Sequence, residues 1–166
     1  MKLNWSKNGT CNFRRIVLSV DNRHLIYLEK IRKAINMHRG RENNGEPVEI
    51  STVIRCFVLS GIELSLEQGL SSLVRLILHN QEIFGIDPSR NSKQTHVDLH
   101  TTELKAIRDL VAMINEKLED EHIEYGQKYC NITRDHLIGY FIRRGCEGFK
   151  NGSIPNVNVM HTDSTP

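Results

Sequence analysis

With 166 residues, 39% of them hydrophobic and 25% charged, the chain has the size and composition of one ordinary globular domain with a buried core. No apolar run approaches the roughly 18 residues of a membrane helix, and "MKLNWSKNGTCNF" lacks the apolar middle of a secretory signal, so a cytoplasmic protein with no membrane partner is expected. The net charge of +2 is uneven: residues 1–48 carry ten Lys/Arg against four Asp/Glu, 49–93 four against five, and 94–166 eight against eleven. A basic excess at the start suits either a solvated face or a footprint for a polyanion, most simply nucleic acid.

After an N-terminal arm (1–12), "FRRIVLSVDNRHLIYLEKI" (13–31) alternates apolar and polar residues and then turns helical with no proline or glycine between. Ile16, Leu18 and Val20 share one side of the predicted strand, leaving Arg15, Val17 and Ser19 on the other. A lone strand cannot satisfy its backbone groups, so a partner strand is required. A first helix is predicted from about Asn22 to His38, with Leu25, Leu28, Ile31 and Ile35 on its buried stripe, followed by the loop "GRENNGEP". A second begins near Glu49 and buries Val53, Ile54, Phe57, Val58 and Ile62. Residues 64–93 read as a linker with an amphipathic helix carrying Leu70, Leu73, Val74 and Ile77, ending in a flexible "DPSRNSKQ".

The missing strand comes from an internal repeat. "QTHVDL" (94–99) alternates again and runs into "HTTELKAIRDLVAMINEKLEDE", whose apolar stripe is Leu104, Ile107, Val111, Ile114 and Leu118. "VEISTVIRCFVLSGIE" (48–63) lies on "ITRDHLIGYFIRRGCE" (132–147) without a gap, matching Phe57 with Phe141, Gly61 with Gly145 and Glu63 with Glu147. Thr133 is predicted to cap the last helix through its hydroxyl. The chain thus divides into a strand–helix–helix unit at 13–63, the linker at 64–93, a second unit at 94–148 and a flexible tail at 149–166. Strand 16–20 is expected to pair with strand 95–99, their apolar sides closing over four helices.

A basic strand followed by two helices, the second opening "ITRDHLIGYFIRRG", resembles the ribbon-helix-helix family of the Arc and methionine repressors. The resemblance rests on Thr133, Arg134 and Asp135 followed by Leu137 and Ile138, and it covers residues 13–63 and 94–148. It implies a mostly α fold with one short two-stranded antiparallel ribbon, both units on one chain forming a pseudo-twofold intramolecular dimer. Tandem versions of this kind occur among plasmid and conjugative-transfer proteins. The implied partner is double-stranded DNA, with further copies of the chain possible along it, and the protein would then be nucleoid- or plasmid-associated.

If the ribbon enters the major groove, Arg15, Val17, Ser19, Gln94, His96 and Asp98 face the bases. Arg15 can bond guanine bidentately, Gln94 can pair with adenine, and Val17 can touch a thymine methyl. Asp98 repels phosphates and helps only by accepting from cytosine or rejecting wrong sites. Phosphate contacts are expected from Arg14 and from the openings of the second helices, Ser51 and Thr52 in one unit and Thr133 and Arg134 in the other.

No Gly-rich phosphate loop, HExxH or nucleophile motif occurs, so no catalysis and no cofactor are expected. Cys11, Cys56, Cys130 and Cys146 have no CxxC spacing and suit reduced thiols. His96 and His100 would stand roughly 13 Å apart on a strand, too far to share a metal. Sequence-specific DNA binding as a transcriptional repressor or other regulator, an accessory DNA-binding role in the relaxosome at a conjugative-transfer origin, and a protein-interaction module such as an antitoxin or assembly factor all remain open. Unlike strands, "RIVLS" and "QTHVD", imply a non-palindromic site if DNA is read.

Overall fold

The computed structural model describes residues 12–41, 46–79, 91–125 and 131–155. It is mostly helical with a single two-stranded antiparallel sheet among the described residues. In chain order these are β1 (Phe13–Asp21), α1 (Asn22–Arg41), α2 (Ile50–Gln68), α3 (Leu70–His79), β2 (Ser92–His100), α4 (Thr101–Tyr125) and α5 (Arg134–Lys150). The two strands pair along their whole length, with Ile16 opposite Val97, Val17 opposite His96 and Ser19 opposite Gln94.

Alternation decides what the ribbon buries. Ile16, Leu18, Val20, Val97 and Leu99 are buried among the helices, and Val17 between them is 56% exposed. The helices supply the rest of one continuous core: Leu28, Ile31 and Ile35 from α1, Val53, Ile54, Phe57 and Val58 from α2, Ile107, Ile114 and Leu118 from α4, and Leu137, Ile138, Phe141 and Ile142 from α5. These are the stripes that the three- and four-residue spacing marks out. At full burial each such side chain contributes on the order of 1.5–3 kcal/mol, so the core, not the ribbon's few ladder bonds, holds the strands in place.

Each strand passes into its helix by the same local device. The Asp21 carboxylate accepts from the Arg23 N–H at 2.7 Å, and His100 Nδ1 accepts from the Thr102 N–H at 3.2 Å. Either side chain satisfies a first-turn donor that the helix cannot satisfy itself, which is why no glycine or proline is needed at the junction. The ribbon ends close reciprocally as well: the Asn22 N–H reaches the Asn91 carbonyl at 2.8 Å, and the Thr101 N–H reaches the Asn12 carbonyl at 3.0 Å.

The connections between helices are held by matching side-chain amides. Asn36 on α1 accepts from the Val48 N–H at 2.7 Å and donates to the Val48 carbonyl at 3.1 Å. Asn115 on α4 does the same to Ile132, at 2.9 and 3.0 Å. Where α2 meets α5, Phe141 packs on Gly61 and Phe57 packs on Gly145, each ring so close that a Cβ on the glycine would overlap it.

Four element boundaries differ from the sequence expectation. Helix α5 runs to Lys150, two residues into the tail expected to be flexible from 149. Helix α1 continues through Arg41, so Gly40 and Arg41, expected in a loop, belong to a helix. Helix α2 runs to Gln68, past the unit boundary expected at 63, since Ile62 and Ser65 keep its buried face going for another turn. Ser92 and Lys93, expected as part of a flexible linker end, pair with Asp21 and Val20 instead, because β1 extends far enough to satisfy them. The N-terminal arm up to residue 11 and residues 156–166 of the tail lie outside the described residues. No helix among the described residues is long and apolar enough to cross a membrane.

Candidate nucleic-acid interface

The face of the ribbon turned away from the helices consists of three central rungs, Arg15–Asp98, Val17–His96 and Ser19–Gln94. All six residues expected on the outward side therefore lie on one surface, in register, with Val17 and His96 opposite each other at its middle. An extended ribbon presents alternate side chains about 6.6 Å apart along each strand, roughly two base-pair steps of B-DNA.

The structure adds a constraint that the residue types alone did not reveal. Arg15 spends its fork on Asp98, with Nε and one terminal nitrogen donating to the two carboxylate oxygens at 2.9 and 3.0 Å. That bond raises the Arg15 pKa and lowers that of Asp98 below the ordinary carboxylate value. Both side chains remain well exposed, at 63% and 40%, so the pair is cheap to open. Asp98 is thus the cross-strand partner that orients Arg15. On the other side of the central rung, Ser19 donates through its hydroxyl to Ser92 at 2.9 Å.

Two helix N-termini stand beside the ribbon. At the start of α2, Glu49 occupies the cap position without a side-chain cap, and Ser51 Oγ accepts from the Asp98 N–H at 3.2 Å, sealing the open edge of β2. At the start of α5, Thr133 caps as expected: its hydroxyl accepts from the His136 N–H at 3.3 Å, and His136 Nδ1 accepts from the Thr133 N–H at 3.1 Å. The first-turn N–H groups of Ile50 and Ser51, and of Arg134 and Asp135, have no partner within their helices by construction of the α-helix. Thr52 differs, since its N–H already donates to the Glu49 carbonyl. Arg134 bonds Asp135 at 2.9 Å in an exposed pair. Arg14 is exposed at the ribbon's end, on the side it shares with Ile16.

The two ends are not alike. Between β1 and the opening of α5 lies a cavity of about 240 Å3 bordered by Ser19, Thr133, Asp135 and Gly139. At the other end Arg55 of α2 forms a buried ion pair with the fully enclosed Glu103 of α4, its nitrogens 2.5–3.2 Å from the carboxylate. Glu103 also accepts from the His100 N–H at 2.9 Å, and the Arg55 guanidinium lies over the Phe13 ring, 5.0 Å from its centre. Nothing in the residue pattern marked this pair, because both partners sit at positions that a helical wheel reads as ordinary polar ones.

His96 sits on the outward face, and His100 acts at the entry of α4, its Nδ1 also 2.7 Å from Thr102 Oγ1. Cys56 and Cys146 are buried thiols outside any disulfide, and burial pushes their pKa values up to about 11 and about 12. Among the described residues no group of three or more His, Cys, Asp or Glu is placed to hold a metal ion. Comparison with family models, with curated proteins and with solved structures finds no match to this chain.

Proposed function

We propose that the protein is a single-chain ribbon-helix-helix pair that binds double-stranded DNA in the major groove through β1 and β2 and acts as a transcriptional regulator. The observation that carries this reading is the outward face itself: three cross-strand rungs turned away from the helical core, with the opening of α2 beside Asp98 and that of α5 beside Ser19. A rigid two-stranded ribbon fits a groove about 12 Å wide, and helix N-termini on either flank offer N–H donors to phosphates.

The two-unit arrangement is supported by contacts that recur at constant separations. Residues 79 apart make equivalent bonds at both strand ends and supply the clamp amides Asn36 and Asn115, while the clamped residues Val48 and Ile132 are 84 apart, as are the residues that exchange the Phe57–Gly145 and Phe141–Gly61 contacts. The same 79-residue step carries Val17 onto His96, its own ladder partner, so the local twofold passes through that central rung.

This symmetry is broken where it would meet DNA. One side of the axis presents Arg15 and Asp98, the other Ser19 and Gln94, so the preferred site is non-palindromic. Selection of bound DNA from a random pool at physiological salt tests the reading: an asymmetric consensus supports it, and recovery of no sequence preference at all contradicts it. Repression and a role at a transfer origin use the same contacts, and the genes adjoining the selected sites separate them.

A further inference from the structure

On the side of the α2–α5 contact where α3 packs, a cavity of about 360 Å3 lies between the end of α2, the start of α3 and the later turns of α5. We propose that this cavity binds a small organic anion, one that carries a phosphate or carboxylate on a flat or apolar body. The assignment stands apart from the DNA reading and uses none of its residues.

The cavity's size falls within the ~300–1,000 Å3 typical of small-molecule sites. Its walls divide by chemistry. Leu73 and the Tyr140 ring supply apolar surface, Gln68 and Ser72 supply neutral hydrogen-bonding groups, and Arg143 and Arg144 supply two adjacent guanidinium groups. Arg144 lies over Tyr140, 5.9 Å from the ring centre, and among the described residues no carboxylate is within ion-pair distance of it. Arg143 gives its Nε to Glu147 at 3.2 Å, which leaves most of its five N–H groups for another acceptor. Even with Glu147 counted, the lining carries a net positive charge. Guanidinium forks match phosphate and carboxylate oxygens two at a time, so the chemistry selects an anion.

The bland account of these arginines is attraction to the negative end of their own helix. That effect is confined to the last turn, and α5 continues to Lys150, the one basic residue in its last turn. Nor does packing against α2 demand them. The residues 84 positions earlier, in the matching stretch of α2, are Leu59 and Ser60, which support the same Phe–Gly contact without charge. The cavity also needs α3, which has no matching helix after α5 among the described residues and which is separated from α2 by Gly69, a residue with φ of +79° that few side chains tolerate.

The test uses the full chain, 15N-labelled, titrated with phenyl phosphate, benzoate and neutral phenol. Phenyl phosphate is expected to move amide signals of residues 64–73 and 140–147 with a Kd on the order of 1 mM or tighter, and phenol is expected to leave them in place. Benzoate moving the same signals more weakly identifies phosphate as the preferred head group, and the reverse order identifies carboxylate. Arg144→Gln should weaken the tighter anion about tenfold, and Ser72→Phe, which fills the space from α3, should abolish the response. Shifts confined to the ribbon or to the openings of α2 and α5, equal binding of phenol, or unchanged affinity in both variants would overturn the assignment. The wild-type map decides the matter alone if either variant fails to fold.

Discussion

The ring of Phe141 occupies the space that a Cβ on Gly61 would need, and Phe57 stands in the same relation to Gly145. Helices α2 and α5 therefore approach as closely as backbone and ring allow at two points. A methyl group at either glycine must displace a buried ring in a core packed at crystal density. Gly61→Ala and Gly145→Ala should each destabilise the protein by about 1–3 kcal/mol, with similar values for the two. Urea denaturation measures this, and a loss at one site without the other would argue against equivalent contacts.

The amide clamps give an independent test of the same arrangement. Asn36→Ala removes both partners of Val48's backbone groups, and Asn115→Ala removes both partners of Ile132's. Val48 and Ile132 are buried, at 5% each, so water replaces those bonds poorly. Each variant should lose roughly 1–3 kcal/mol by the same denaturation measurement, and hydrogen exchange at the Val48 or Ile132 amide should accelerate in its own variant alone.

The Arg55–Glu103 pair predicts non-additivity. Glu103 is fully enclosed, so Arg55→Met leaves a buried carboxylate that keeps the His100 N–H but loses its counter-charge, and should cost about 3–5 kcal/mol. Replacing both, Arg55→Met with Glu103→Leu, removes the stranded charge and should restore most of that loss. A double-mutant cycle in thermal or chemical unfolding reads the difference. Equal damage in single and double variants would show that the pair is not coupled.

Acid sensitivity should appear before the carboxylates titrate. Burial holds the His24 pKa below its ordinary 6.5, with Asp21 opposing the shift only in part. The folded protein therefore binds its proton less readily than the unfolded chain. The stability this provides is complete above pH 6.5 and is lost as pH falls from there through the depressed folded value. Asp21 and Asp98, whose pKa values are lowered from 3.8 by their arginine partners, add losses only at more acid pH. The melting temperature of the wild type should decline below pH 6.5, and His24→Gln should flatten that first decline while leaving the more acid one.

Much of this fold was legible in the residues because it depends on periodicity. Alternation at Ile16, Leu18 and Val20 set the face of β1, and the Leu28, Ile31, Ile35 stripe set that of α1. Thr133 announced its helix because a hydroxyl before a helical run has one obvious use. What escaped was decided between segments distant in the chain. Ser92 and Lys93 carry no strand signal of their own and are ordered by the partner strand. Arg55 and Glu103 meet only after α2 and α4 have packed. The bond from Arg15 to Asp98 depends on a register that neither strand contains alone, and it changes what the outward face offers a ligand.

That exposed pair gives the most direct measurement of the central claim, that the outward ribbon face reads DNA. Fluorescence anisotropy with the selected duplex, over a series of salt concentrations, should show affinity falling steeply as salt rises. Arg15→Ala should cost about 1–3 kcal/mol at the selected site, Ser19→Ala should weaken binding less, and Asp98→Asn, which frees Arg15 and removes a negative charge, should tighten binding to unrelated sequences. Wild-type affinity in both Arg15→Ala and Ser19→Ala, with little dependence on salt, would contradict the account and leave the ribbon as a scaffold for some other surface.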